Sequence, residues 1–134
     1  YNVKATIFVI PSSVGGQYSM TAAQIKEMAD SGLVSIQSHT QDHKELASLS
    51  ADQQKQQFAQ SQLAIARMTG RIPSVLSYPS GRYDSNTLSL APKYFDMAVK
   101  SRGGLWTVQN NFFEIDRYPV YRDTGVHSFQ TFIH

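Results

Sequence analysis

The chain has 134 residues, 41% of them hydrophobic and 16% charged, enough apolar material for one soluble domain with its own core and too much for a disordered segment. A formal charge of +2, with twelve dispersed Lys and Arg residues, argues against a dedicated nucleic-acid surface, and no apolar run reaches the length of a membrane span. Without cysteine there is neither a disulfide framework nor a thiolate site, so any metal must be held by nitrogen and oxygen.

The N-terminus lacks the basic region and cleavage-like site of a signal peptide and opens directly on a strand. Residues 3–10, rich in β-branched and aromatic side chains and closed by Pro11, predict a central strand, and residues 12–19, with Gly15 and Gly16, a loop. Thr21 with Gln24 forms a capping-box pattern, Ile25, Met28 and Ala29 make an apolar stripe, and Gly32 supplies a stop, so a helix spans about residues 21–31. A second buried strand follows over residues 33–37. Ser50 with Gln53 repeats the capping pattern. Phe58, Ala59, Leu63, Ile65 and Ala66 form the buried side of a helix that ends at Gly70, and Gln53, Gln54, Gln56, Gln57 and Gln60 form its solvated face.

Val75 and Leu76 predict a third strand that runs into the tight turn Tyr78-Pro79-Ser80-Gly81. Asp84 or Ser85 caps a short helix to Ala91, and residues 95–99 form a fourth strand. Residues 105–108 and 117–121 suggest two more strands, and Ser128 caps a final helix to Ile133. Strands alternating with helices imply an α/β fold with a mostly parallel sheet, in which ligands bind beyond the C-terminal ends of the strands.

His39 and His43 lie just past the second strand. If the chain turns helical there, their spacing puts both imidazoles on one face, within reach of one cation, with a third ligand still required. Two surface histidines in a polar turn satisfy the same short pattern. Asp42, between them, points away from that face and reads as a turn or cap residue.

Three segments in this order, Lys4-Ala5-Thr6-Ile7-Phe8, Ser38-His39-Thr40-x-x-His43 and Tyr78-Pro79-Ser80-Gly81, resemble the polysaccharide deacetylases, carbohydrate esterase family 4. Arg117-Tyr118-Pro119-Val120 and the closing Ser128-Phe129 extend the resemblance over essentially the whole chain. It implies a deformed (β/α) barrel, incomplete here. It also implies metal-dependent removal of N-acetyl groups from chitin-like, peptidoglycan or poly-N-acetylglucosamine chains, by an exported or cell-surface bacterial protein. The implied cofactor is a divalent metal, with zinc the expected ion, held by one aspartate and two histidines. His39 and His43 match the imidazole ligands, and the backbone N–H of Ser80 matches the oxyanion donor. Tyr78, Pro79 and Gly81 of the same turn, with Tyr83 as a flanking wall, are the expected substrate contacts, while Trp106 and Tyr118 either stack on a sugar or pack in the core.

The chain departs from the family in three places. The acidic Asp-Asp-Gly-like motif that carries the general base and the metal aspartate precedes the Lys-Ala-Thr strand in the family, and none of Asp42, Asp84 and Asp116 stands in that context. Residues 1–134 are therefore expected to be one deacetylase domain truncated at its N-terminus. It should have little activity alone, and the edge of residues 3–10 should be open to pairing with a second chain. The arginine some members carry before the Pro-x-Gly turn is replaced by Ser77-Tyr78; Arg117 either supplies that guanidinium or is a surface arginine. The late Leu-x-His motif has no clear match, which leaves His127 as a candidate general acid. The alternative function is a non-catalytic carbohydrate-binding or scaffold relative of the deacetylases.

Overall fold

A computed structural model describes residues 3–101, 103, 104, 107 and 109–132. Four strands, β1 (Ala5–Val9), β2 (Val34–Ser38), β3 (Val75–Ser77) and β4 (Met97–Val99), form one sheet in sequence order, every neighbouring pair parallel. Three helices lie in the crossovers, α1 (Ala22–Asp30), α2 (Ala51–Thr69) and α3 (Ser85–Leu90), and α4 (Val126–Phe132) follows β4. Because α1 packs on α2 and α2 on α3, the crossover helices form one layer. Strand alternation sends Val9, Ile36, Leu76 and Ala98 into that layer's core and Thr6, Phe8, Ser35, Gln37, Val75 and Ser77 to the opposite face.

The helix starts are dictated locally. Thr21, Ser50 and Asp84 each accept the N–H of the residue three positions on, and Gln24, Gln53 and Thr87 each reach back to the cap backbone. Gly70 ends α2 in the left-handed conformation, φ 74°, where a Cβ would be strained.

The long helix corrects the reading of its faces. Its buried residues are Gln54, Gln57, Phe58, Ser61, Ile65 and Thr69, while Ala59 and Leu63 are exposed. Gln54 is buried because it is fully used: its amide donates to the carbonyls of Leu46 and Leu49 and to Asp84 Oδ1, and its carbonyl accepts the Thr87 hydroxyl. Leu63 faces out because five residues beyond Phe58 is about 140° around the helix.

Other expectations shift as well. Among the described residues β1 is the end strand of the sheet, with no neighbour on its outer edge. Residues 117–121 form no strand: Ile115 makes one parallel bridge to Val99, and beyond it Arg117 O accepts the Gly103 N–H (3.1 Å) without a further bridge, as suits a segment in which Pro119 has no N–H for a ladder. Leu105, Trp106 and Val108 lie outside the described residues, so the strand expected there and the role of Trp106 go with them. The last helix begins at Val126, so Ser128 sits within it instead of capping it, its carbonyl accepting the Thr131 hydroxyl.

Phe58 is fully buried and meets the rings of Tyr94 and Phe95 at 5.6 Å each. Phe58→Ala is expected to lower unfolding stability by about 3–5 kcal/mol in chemical denaturation. Leu63→Ala, at a site 53% exposed, should stay within about 0.5 kcal/mol. Equal effects of the two would contradict this assignment of the helix faces.

Candidate functional site

His39 is the first residue past β2. Its N–H extends the ladder to Val9 O (2.9 Å), and its Nδ1 meets Ser77 O (2.7 Å), so β1 holds its backbone and β3 its ring. A carbonyl can only accept, so Nδ1 carries the proton and Nε2 keeps a free lone pair. Burial holds this imidazole's pKa below its ordinary value. The Ser77 hydrogen bond works in the other direction, and the neighbouring His43 and Arg117 add to the lowering.

The His43 ring lies edge-on to His39, centroids 4.7 Å apart and planes at 72°. The two rings meet through a loop, which corrects the helical turn expected from the spacing. Thr40 (φ 65°) and His43 (φ 60°) are left-handed, each a cost of about 1–2 kcal/mol for a residue with a Cβ. Local hydrogen bonds offset that cost. Buried Thr40 accepts His43 N–H on its hydroxyl (3.2 Å) and gives its own N–H to Ser38 Oγ (3.2 Å), which in turn bonds Ser61 Oγ (2.8 Å). From α2, Gln57 Oε1 accepts the N–H groups of Gln41 (3.0 Å) and Asp42 (3.2 Å). Asp42 is a turn residue, as its position predicts: it pairs with Lys44 Nζ (2.8 Å) and accepts the Lys44 N–H.

At the end of β3, Ser80 is left-handed (φ 54°) and exposed. Gly81 N–H goes to Tyr78 O and Arg82 N–H to Pro79 O, while Ser80 N–H bonds no described residue. The rest of this turn corrects the expected substrate contacts. Tyr78 is 1% exposed, its hydroxyl donates to Phe113 O (2.8 Å) and its ring packs on Tyr83 (4.7 Å), so it is core. Burial above all, then Tyr83 and Glu114, pushes its phenol pKa up and keeps it protonated. Pro79 and Gly81 are also buried, leaving Ser80 as the outward residue of the turn. Tyr83 is half-buried, donates to Glu114 Oε1 (2.7 Å), and with Ala47, Gly81 and Arg82 lines a surface cleft of about 460 Å³.

Arg117 reaches the same sheet end from an irregular segment. It donates from Nε to Lys100 O (3.2 Å) and from Nη2 to Ser77 Oγ (2.8 Å) and Ser101 Oγ (3.1 Å), with its guanidinium over the Phe8 ring at 5.2 Å. It is half-buried, which pulls its pKa down, and no carboxylate among the described residues pairs with it. His127 is exposed on α4 and makes no hydrogen bond or ring contact with His39, His43 or Ser80. Tyr118 is 38% exposed. Among the described residues no group of three or more His, Asp or Glu side chains is disposed to hold a metal, so His39 and His43 stand as a pair.

The profile of the polysaccharide deacetylases matches residues 1–95. The chain belongs to the polysaccharide deacetylase family. It is 38% identical over 121 residues to YxkH of Bacillus subtilis (strain 168), whose name places it provisionally in the same family; the match covers 90% of this chain and 43% of YxkH. In fold it is similar to BC0361, a polysaccharide deacetylase from Bacillus cereus, with TM-score 0.93 and 25% identity over 100% of this chain and 43% of that one. The Streptococcus pyogenes deacetylase PplD, solved with acetate, gives TM-score 0.92 and 26% identity over 100% of this chain and 60% of that one. The parallel α/β sheet is thus part of the deacetylase (β/α) barrel, and the chain spans less than half the length of YxkH and BC0361.

Sequence reasoning missed Ser77, Gln57 and Phe8. Ser77 acts on His39 through its backbone carbonyl, which no side-chain pattern encodes. Gln57 did leave a signal, since it lies three residues after Gln54 and four before Ser61 on the buried stripe.

The lowered His39 pKa sets a pH dependence. The unfolded imidazole titrates near 6.5 and the folded one lower, so between the two values the unfolded chain binds more protons. Stability of the metal-free protein should therefore fall as pH drops below about 6.5. His39→Gln should flatten that acid slope in denaturation measured at pH 7.5 and 5.5; an unchanged slope would remove His39 as its source.

Proposed function

We propose that the parent of this chain removes N-acetyl groups from an amino-sugar polysaccharide of the chitin, peptidoglycan or poly-N-acetylglucosamine class at a bacterial cell surface. The supporting observation is the convergence at one sheet end of the two imidazoles, 4.7 Å apart, with exposed Ser80, whose N–H bonds no described residue. His39 and His43 suit a divalent cation, because neutral imidazoles are borderline donors and the Ser77 carbonyl fixes the His39 tautomer that leaves Nε2 available. Such a cation, zinc by the family resemblance, would polarise the acetamide carbonyl and lower the pKa of water, which a poor electrophile requires.

The chain's own groups do the rest. Ser80 N–H points a donor at the oxygen on which negative charge develops as the amide is attacked. Arg117, charged and lacking an acidic partner among the described residues, orients a carboxylate base contributed from elsewhere in the longer parent. The Tyr83 cleft receives the neighbouring sugar. In the isolated chain the edge of β1 that has no neighbour among the described residues pairs with a second copy, which light scattering would show as a dimer and a strictly monomeric species would contradict.

Acetate release from N-acetyl chito-oligomers by the full-length parent tests the chemistry. His39→Ala and His43→Ala should each reduce it about a hundredfold or more, equivalent to a few kcal/mol of transition-state stabilisation. Ser80→Gly keeps the N–H and suits φ 54°, so it should retain most activity. Glycan binding without acetate release in the unsubstituted parent would favour a non-catalytic relative instead.

A further inference from the structure

We propose that Gln57 is a positioning residue for the metal pair: from α2 it clamps the loop between His39 and His43 so that the two imidazoles converge without metal. This rests on the metal reading of His39 and His43 given above. The loop leaves β2 at Ser38 and carries two left-handed non-glycine residues, Thr40 and His43, a shape the backbone does not choose by itself. Two successive N–H groups at its crown, Gln41 and Asp42, point at α2, and Gln57 Oε1 accepts both, at 3.0 and 3.2 Å.

One further contact completes the clamp: on the far side Gln41 O accepts the Ser12 N–H (3.0 Å). Gln57 is 8% exposed, so removal of its oxygen leaves two amides facing a largely dry helix surface. The loop must then rotate to hydrate them, and rotation at residues 41 and 42 swings His43 away from His39. Gln57 hydrogen-bonds the backbone of the loop and neither ring, so its effect passes through the backbone.

Co²⁺ titration against a competing chelator in the full-length protein, with thermal unfolding of the metal-free form alongside, tests this. Gln57→Leu, which keeps the bulk and removes the acceptor, should weaken Co²⁺ binding about 10–100-fold. Gln62→Leu is the structural control. Gln62 lies on the same helix and donates to the carbonyls of Pro73 and Tyr94, away from the loop, so its loss should lower the unfolding midpoint and leave Co²⁺ affinity within about twofold. The exchange variant Gln57→Glu with Asp42→Asn returns an acceptor for both N–H groups without adding net charge, and should recover affinity to within about threefold of the unsubstituted protein.

Unchanged affinity in Gln57→Leu, equal weakening in Gln62→Leu, or no recovery in the exchange variant would each overturn the proposal. Failure of the unsubstituted protein to bind Co²⁺ would overturn the metal reading itself, and that result appears before any variant is made. If Gln57→Leu fails to fold, the exchange variant alone decides, because a clamp that needs only an acceptor predicts near-normal affinity there.

Discussion

The site depends on one seam, the junction of β2 with β3. The registered pair between them is Ser38 with Leu76, and side chains carry much of the rest of the connection. On the side where β3 begins, Gln37 Oε1 accepts the N–H groups of Ser74 and Val75 (2.9 and 2.8 Å), standing in for a carbonyl of the neighbouring strand. At the other end the His39 ring bonds Ser77 O. The proposed metal ligand is therefore also a structural cross-link, and anything that moves β3 relative to β2 moves the imidazole. The same bond selects the tautomer, so position and protonation state are set by one contact.

What was legible in the sequence was local. The capping boxes of α1 and α2, a cap for α3 at Asp84 or Ser85 (the structure has Asp84) and the glycine stop of α2 appear where residue types and spacing place them, because a cap satisfies backbone groups within three residues of itself. The parallel sheet and the delivery of His39 at a strand end were also legible, since alternating strands and helices leave few other arrangements, whereas the place of β1 at the end of the sheet was not. The shape of the His39–His43 loop was not. Spacing of four is shared by a helical turn and by this bend, and the choice rests on Gln57 and Ser61, both distant in sequence, acting with Ser38 of the motif. Arg117 illustrates the same limit from the other side. Its arrival at the site is set by Lys100 O, Ser77 Oγ and Ser101 Oγ, and no strand at residues 117–121 was needed to bring it there.

The misread face of α2 has a general cause. Hydropathy assigns glutamine to water, yet a glutamine whose four hydrogen-bonding positions are matched is as much at home inside as a leucine. Gln54 ties the loop after β2 to the start of α3, Gln57 holds the histidine loop, and Gln62 anchors the backbone around β3 and β4. All three contact irregular backbone, where carbonyls and amides lack ladder partners. A helix that must support loops at a strand end needs side chains that are long, uncharged and able to donate and accept, and glutamine meets all three conditions.

Charge gives the last step. The groups gathered at the strand ends are two imidazoles, with His39 held neutral by burial, and a guanidinium resting on Phe8 and bound to two hydroxyls and a carbonyl. A divalent cation beside that guanidinium would make the region strongly positive, and like charges in a half-buried cleft repel more strongly than in water. The arrangement favours an anion between them, and none of the carboxylates described pairs with Arg117. Asp42 is committed to Lys44, and Asp84 to the cap of α3. Asp116 Oδ2 lies 3.5 Å from Lys100 Nζ while its buried Oδ1 has no hydrogen-bond partner among the described residues, and Glu114 accepts from Tyr83. A neutral His39 and a guanidinium with no acidic partner among the described residues thus leave this strand end complementary to a carboxylate.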